Sequence, residues 1–150
     1  MWCPYKKGDI EIIEKVPKRA TKLIISLKHL SYSERLKQLQ LPTLKYRRLR
    51  GDMIQVFKMV HMYDVCAAVK LNFNTLSTTW GNKYKLQKSA SHYNFRKFSF
   101  CSRVVNIRNS LPDSVVDADM LNTFKSHLDK HWLDQDALYN FYSELTGTGG

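Results

Sequence analysis

Hydrophobic residues in this chain recur mainly at steps of three and four, the spacing of amphipathic α-helices. In residues 9–26 the apolar positions at this spacing are Ile10, Ile13, Val16, Ala20, Leu23 and, just beyond, Leu27. Pro17 lies inside the run. A proline within a helix removes one backbone hydrogen bond and clashes with the preceding turn, so we expect either a kink or two short helices.

A helix start and a long basic helix follow. Ser31 and Glu34 form the Ser-x-x-Glu pattern of a capping box, which predicts a helix over residues 32–40. After Pro42 we predict a long helix over residues 43–62, weakened by about 1 kcal/mol by Gly51. About a third of its circumference is apolar, with Tyr46, Leu49, Met53, Val56, Phe57 and Val60. The opposite side carries Arg47, Arg48, Gln55 and Lys58.

Periodicity fades in residues 63–81, where Asn, Ser and Thr accumulate, and this predicts a loop or linker. Residues 84–88 and 93–101 are rich in aromatic and basic side chains and predict two short strands, although the second could already be turning helical. Further helices are expected over residues 103–110 and after a cap at Asp117 or Asp119. The latter carries Leu121, Phe124, Leu128 and Trp132, and a last short helix holds Leu138, Phe141 and Tyr142.

These elements predict a mainly α fold with a small β-hairpin, an α+β arrangement. We expect a helical region over residues 1–62, a linker over 63–81, a C-terminal α+β region over 82–146 and a frayed tail over 147–150. A chain of 150 residues is long enough for one domain with a real core or for two small subdomains.

Charge is divided unevenly along the chain. Residues 1–110 hold 22 Lys and Arg against 6 Asp and Glu, whereas residues 111–150 hold 2 against 7. This division favours a basic surface that meets a polyanion, with the acidic end either facing away or docking back onto the basic part. An ordinary solvated basic surface is the alternative, because excess charge mainly governs solubility and non-specific association.

Cellular setting is indicated by what the sequence lacks. No apolar run approaches the length of a membrane span, and the first residues have no apolar signal-peptide core. Cys3, Cys66 and Cys101 are far apart and odd in number, which is typical of reduced thiols. We therefore expect an intracellular protein, nuclear or cytoplasmic, with no membrane partner.

Catalytic motifs are scarce. The chain has no glycine-rich phosphate loop, no Gly-x-Ser-x-Gly and no His-Glu-x-x-His. Asp117 and Asp119 fit a helix cap better than a metal site, and His127 and His131 have metal-ligand spacing but lack two further ligands. We expect no enzymatic activity of the isolated chain, no catalytic residue, no metal, no cofactor and no small-molecule substrate.

Nucleic-acid contacts are the more plausible chemistry. Cations that could neutralise phosphates are Lys18, Arg19, Arg47, Arg48, Lys83, Lys85, Arg96 and Lys97. Tyr84 and Tyr93 stand among the later cations, and interleaved aromatic and basic residues suit stacking on unpaired bases. The alternative is that the aromatic residues of this region, with Leu86, form the inward side of a hairpin.

Several blocks, taken in order, resemble one family of proteins. The blocks are Trp2-x-Pro4-Tyr5, Asp9-Ile10-Glu11-x-x-Glu14-Lys15-Val16, Arg19-Ala20-Thr21-Lys22, Leu30-Ser31-Tyr32-x-Glu34-Arg35-Leu36, Leu41-Pro42-Thr43-Leu44-x-Tyr46-Arg47-Arg48-Leu49-Arg50-Gly51-Asp52, Asn82-Lys83-Tyr84-Lys85-Leu86, Arg103-Val104-Val105-Asn106, Asn109-Ser110-Leu111-Pro112, Phe124-Lys125 and Leu128-Asp129-x-x-Trp132. Together they resemble the region after the polymerase core of jockey-like non-LTR retrotransposon reverse transcriptases.

This resemblance implies a thumb-like helical bundle, up to about residue 62, followed by a small C-terminal subdomain. In the family the thumb grips the template–primer duplex, so RNA or an RNA–DNA duplex is the implied partner. An upstream polymerase core supplied in trans is the other implied partner. Pro17 and Arg108 depart from the family pattern, where a helix-compatible polar residue and a Trp are common. The alternatives are a non-functional pseudogene product, or a protein-interaction module that docks through the acidic C-terminal helix.

Overall fold

The computed structural model describes residues 4, 6–61, 71, 85–87 and 99–146, and these residues are mainly helical. The helices of the described residues are α1 (Lys7–Lys22), α2 (Tyr32–Gln38), α3 (Leu44–His61), α4 (Phe100–Ser110), α5 (Asp113–Val116) and α6 (Leu121–His131). Short 3-10 turns cover Ile25–Leu27 and Asp136–Leu138. A mainly α fold is therefore confirmed.

The chain divides into two compact units. Unit 1 comprises residues 1–49 and 133–145, and unit 2 comprises residues 50–132 and 146–150. The predicted boundaries at residues 62, 82 and 147 lie outside the described residues, as does the predicted tail.

Helix α1 is a single helix that continues through Pro17. Of the two expected outcomes, a kink or two short helices, the second is therefore wrong. Only the stretch after Lys22 separates, as a 3-10 turn. The side chain of Arg35 supports the end of α1, since its Nε donates to Thr21 Oγ1 at 3.3 Å and its Nη2 to the Lys18 carbonyl at 3.4 Å. A cation at the C-terminal carbonyls of a helix is favourable to the helix dipole.

A second polar contact joins α1 to the start of α3 in unit 1. The Glu14 carboxylate, 1% exposed, accepts from the Tyr32 hydroxyl at 2.7 Å and from the Leu44 backbone N–H at 3.3 Å. Leu44 is the first residue of α3, so a negative charge lies at that helix N-terminus, where it is stabilising. Burial first, and then the hydrogen bond and charge of Glu14, raise the pKa of Tyr32 well above its usual value.

Thr43 ties the returning chain of unit 1 to α3. Its backbone N–H donates to the Leu138 carbonyl at 2.9 Å and its hydroxyl to the Ala137 carbonyl at 2.8 Å. The same Oγ1 accepts from the Tyr46 N–H at 3.2 Å, the bond of an N-cap threonine. One buried side chain therefore both begins α3 and holds residues 137–138.

The apolar face predicted for α3 is buried in the structure, as expected. Tyr46, Met53, Val56 and Phe57 are buried, whereas Arg47 is exposed. Within unit 2 the rings of Phe57 and Phe124 stack with centroids 4.4 Å apart. The apolar periodicity of residues 43–62 thus marked the side that enters the core.

Among the described residues of unit 2, two charged side chains are buried. Asp52, on α3, accepts from Arg103 Nε at 2.9 Å and pairs with its Nη2 at 2.8 Å. Arg108 is 0% exposed and its positive charge reaches His61. Position 108 is thus an interior position that carries a charge.

Other predictions differ from the structure in their boundaries. Helix α4 begins at Phe100, so the end of the second predicted strand is helical. Residues 93–98 of that strand and residues 84 and 88 of the first lie outside the described residues, and the described residues 85–87 form no strand. The N-cap of α6 is Met120 and not Asp117 or Asp119, because the separate helix α5 precedes it. Phe141 and Tyr142 lie in a turn after the 3-10 turn, not in a last helix. None of the described helices is long and apolar enough to cross a lipid bilayer.

Candidate nucleic-acid interface

The first predicted cations lie on the outer side of α1. Lys18 and Arg19 are exposed, as are Lys15 and Lys22, while Glu14 and Thr21 of the same helix are buried. The inward side of α1 is therefore fixed by two polar residues, and four cations of this helix are presented outward within unit 1.

Arg47 and Arg48 lie at the beginning of α3, in the same unit. Arg47 is exposed, and its Nε donates to the Pro42 carbonyl at 3.1 Å, which orients the guanidinium beside the first turn. Arg48 is half-buried. The charge of Arg47 also reaches Tyr32, where it acts against the burial and the Glu14 carboxylate that raise the pKa of the phenol.

The two remaining cations of the Lys45–Arg50 cluster are engaged by the acidic end of the chain. In unit 1, Lys45 Nζ lies 2.7 Å from Glu144 Oε1. In unit 2, Arg50 Nε and Nη2 lie 2.5 and 2.7 Å from the two carboxylate oxygens of Asp129. Two carboxylates of the acidic end thus contact cations of the basic part.

The third predicted group falls mostly outside the described residues. Those residues are Lys83, Arg96 and Lys97 with the stacking candidates Tyr84 and Tyr93. Lys85 is described and half-buried in unit 2, beside Leu86. The Asn109 side chain bonds both backbone groups of Leu86. Its Oδ1 accepts from the Leu86 N–H at 2.8 Å, and its Nδ2 donates to the Leu86 carbonyl at 2.9 Å.

An apolar strip beside the cations of α1 is exposed. Val16 is 70% and Leu23 83% exposed, and Ile12 and Ile25 are also exposed. Val16 and Leu23 belong to the apolar spacing of residues 9–26. The apolar arc of α1 is wide. Unit 1 covers the edge of this arc next to Glu14 and Thr21, and the edge with Val16 and Leu23 stays exposed.

The histidine pair of α6 lines a shallow depression in unit 2. His127 and His131 share it with Ser114, Val115 and Lys130, in a volume of about 340 Å³. Within the described residues, no three His, Cys, Asp or Glu side chains are grouped as a metal site would require. Near the end of α3, burial and then the charge of Arg108 lower the pKa of His61.

Glu14 and Arg35 organise unit 1 but were not singled out by their sequence pattern. Glu14 interrupts an apolar spacing, and a carboxylate at such a position is a signal for a buried, hydrogen-bonded group. Arg35 lies in a short polar helix, where nothing local distinguishes it from a solvated cation.

Comparison of the chain with protein-family models, with curated proteins and with solved structures gives no match. The residues of the chain itself therefore carry the functional argument.

Proposed function

We propose that this chain is a non-catalytic, thumb-like part of a retrotransposon reverse transcriptase that binds RNA or an RNA–DNA duplex with little sequence preference. The observation that supports this is a division among the cations of unit 1. Lys18, Arg19, Arg47 and Arg48 carry no ion pair within the described residues, whereas Lys45 is paired with an acid. The unpaired cations are therefore available to phosphates.

The later cations and the hairpin belong to the same proposal. Residues 82–88 and 92–97 would bring Lys83, Lys85, Arg96 and Lys97 to the backbone of an unpaired strand. Tyr84 and Tyr93 would stack on its bases. This second group extends the contact from duplex to single-stranded segments.

The test is a binding titration of a single-stranded RNA and an RNA–DNA duplex at several salt concentrations. Four phosphate contacts predict a slope of log K against log salt of about −3. Replacing Lys18, Arg19, Arg47 and Arg48 by Gln should flatten that slope. A matched control replaces four other exposed cations by Gln, namely Lys6, Lys28, Lys37 and Lys130. A flat salt dependence of the wild-type chain would exclude phosphate neutralisation and with it this function.

A second candidate function rests on the exposed apolar strip of α1. Ile12, Val16 and Leu23 would pack against a polymerase core supplied in trans, since exposed strips of this kind commonly mark protein contacts. The test adds the chain to a jockey-like polymerase core that lacks its thumb and measures processivity. A gain that Val16→Asp abolishes and Ser126→Asp, at an exposed position of α6, preserves would support it. No gain would exclude it.

The acidic helix is less suited to docking a partner. The apolar side of α6, with Phe124 and Leu128, is buried in unit 2, and its Asp129 is engaged by Arg50. Only polar positions of this helix remain exposed. If neither RNA binding nor a gain in processivity is measured, the hypothesis that remains is a non-functional pseudogene product.

A further inference from the structure

A cavity in unit 1 combines aromatic rings with charges of both signs. It has a volume of about 150 Å³ and is lined by Lys7, Ile10, Glu11, Lys45, Phe141, Tyr142 and Glu144. A dry cavity of about this volume accommodates a benzene ring. An open one of the same volume can therefore take most of a planar base.

The aromatic wall ends in an exposed ring. Tyr32 meets Phe141 edge-on with centroids 6.3 Å apart, and Phe141 meets Tyr142 at 4.1 Å. Tyr142 is nevertheless 68% exposed. An exposed tyrosine held by a neighbouring ring is a ready surface for base stacking, which tolerates any base because every base has a π-face.

Beside this ring, Lys45 holds a carboxylate in the place where a phosphate would fit. Its Nζ lies 2.7 Å from Glu144 Oε1 and donates to the Ser143 carbonyl at 2.8 Å. The Lys45 side chain is 13% exposed and that of Glu144 is 84% exposed. The lysine is thus anchored while the carboxylate can swing into water, so an incoming phosphate can replace it without leaving the ammonium unpaired.

Two other charged side chains line the cavity, Lys7 and Glu11, and of these Glu11 is the hydrogen-bond acceptor. Glu11 is exposed on α1 and lines the cavity. An ionised carboxylate only accepts hydrogen bonds and can accept two in parallel. Among the RNA bases, guanine offers two adjacent N–H donors, N1–H and the N2 amino group, on its Watson–Crick edge.

We propose that this cavity binds an unpaired guanine nucleotide of RNA. The base stacks on Tyr142, its N1–H and N2–H groups donate to Glu11, and its phosphate takes the place of Glu144 on Lys45. This inference deepens the RNA binding proposed above and rests on it. It adds a preference for one base to an otherwise sequence-tolerant contact.

The test compares two single-stranded RNA octamers, oligouridine with and without one central guanine, by fluorescence anisotropy. We expect the guanine octamer to bind several-fold more tightly. Tyr142→Ala should weaken its binding by about tenfold, within the range for loss of one stacked base. Tyr142→Phe is the matched control and should preserve binding. Glu11→Gln should abolish the preference for guanine, and Glu144→Gln should strengthen binding of both octamers.

Two outcomes separate the failure of this inference from that of the RNA-binding proposal. If Tyr142→Ala leaves a salt-dependent affinity unchanged, or both octamers bind alike, the guanine site is overturned and phosphate binding stands. If neither octamer binds, RNA binding fails, and equilibrium dialysis with GMP and UMP then tests the cavity alone. GMP retained in preference to UMP would support the site as one for a free nucleotide, and equal retention would overturn it.

Discussion

Arg50 and Asp129 form a bidentate ion pair in unit 2, with Nε–Oδ1 and Nη2–Oδ2 distances of 2.5 and 2.7 Å. The two residues are far apart in sequence, and the pair joins a basic helix to the acidic end of the chain. Because both side chains are partly exposed, solvent and salt screen their attraction.

Asp129→Asn is expected to lower the free energy of unfolding by about 0.5–1 kcal/mol, the upper part of the range for partly exposed pairs, because the geometry is bidentate. The loss should shrink at high salt. Urea unfolding followed by circular dichroism measures it. Asp134→Asn removes the same charge from an exposed position and serves as the control, and an equal loss in both variants would contradict the assignment to the ion pair.

Gly51→Ala should stabilise the protein by about 1 kcal/mol, the difference between glycine and alanine inside a helix. Gly51 lies in the interior of α3, and a Cβ built there meets no heavy atom within 4 Å. The midpoint of thermal unfolding measures the effect. Gly8→Ala, also in open space but in the first turn of α1, should give a smaller gain. A destabilised Gly51→Ala variant would show that the helix is not formed there.

Tyr32→Phe should destabilise the protein by about 1–2 kcal/mol, since it removes one donor from the buried Glu14 carboxylate. The free energy of unfolding of this variant, of Glu14→Gln and of the double variant forms a double-mutant cycle. A coupling energy near zero would mean that the hydroxyl and the carboxylate do not interact. Tyr142→Phe, at an exposed phenol, is the matched control.

His61 should make the stability depend on pH below neutrality. Its pKa in the folded chain is lowered from 6.5, first by burial and then by the charge of Arg108. The unfolded chain therefore binds the proton more readily. The contribution of His61 is fully present above pH 6.5 and is lost as the pH falls through the folded pKa.

His61→Gln should flatten this part of the curve, and unfolding midpoints measured between neutral and mildly acidic pH compare the two proteins. A wild-type stability that rises as the pH falls below 6.5 would contradict the sign of the shift.

The sequence by itself determined that α2, α3, α4 and α6 are helical and which face of α3 is buried. Period-3.6 spacing, the Ser31–Glu34 capping box and the break at Pro42 are local signals, and each is found in the structure. The capping box forms with the Ser31 N–H donating to Glu34 at 2.8 Å. The nucleic-acid residues named from the sequence stay predictions, since charge patterns identify available cations but not their ligand.

Only the tertiary structure decided which edge of α1 enters the core and which cations are engaged. The apolar arc of α1 extends from Ile10 to Leu23, and the edge that is buried depends on Tyr32 and Leu44, to which Glu14 bonds. Likewise Lys45 and Arg48 are both cations near the beginning of α3, and the sequence does not distinguish them. In the structure Glu144 forms an ion pair with Lys45. These choices rest on contacts between residues distant in the chain, which no local spacing encodes.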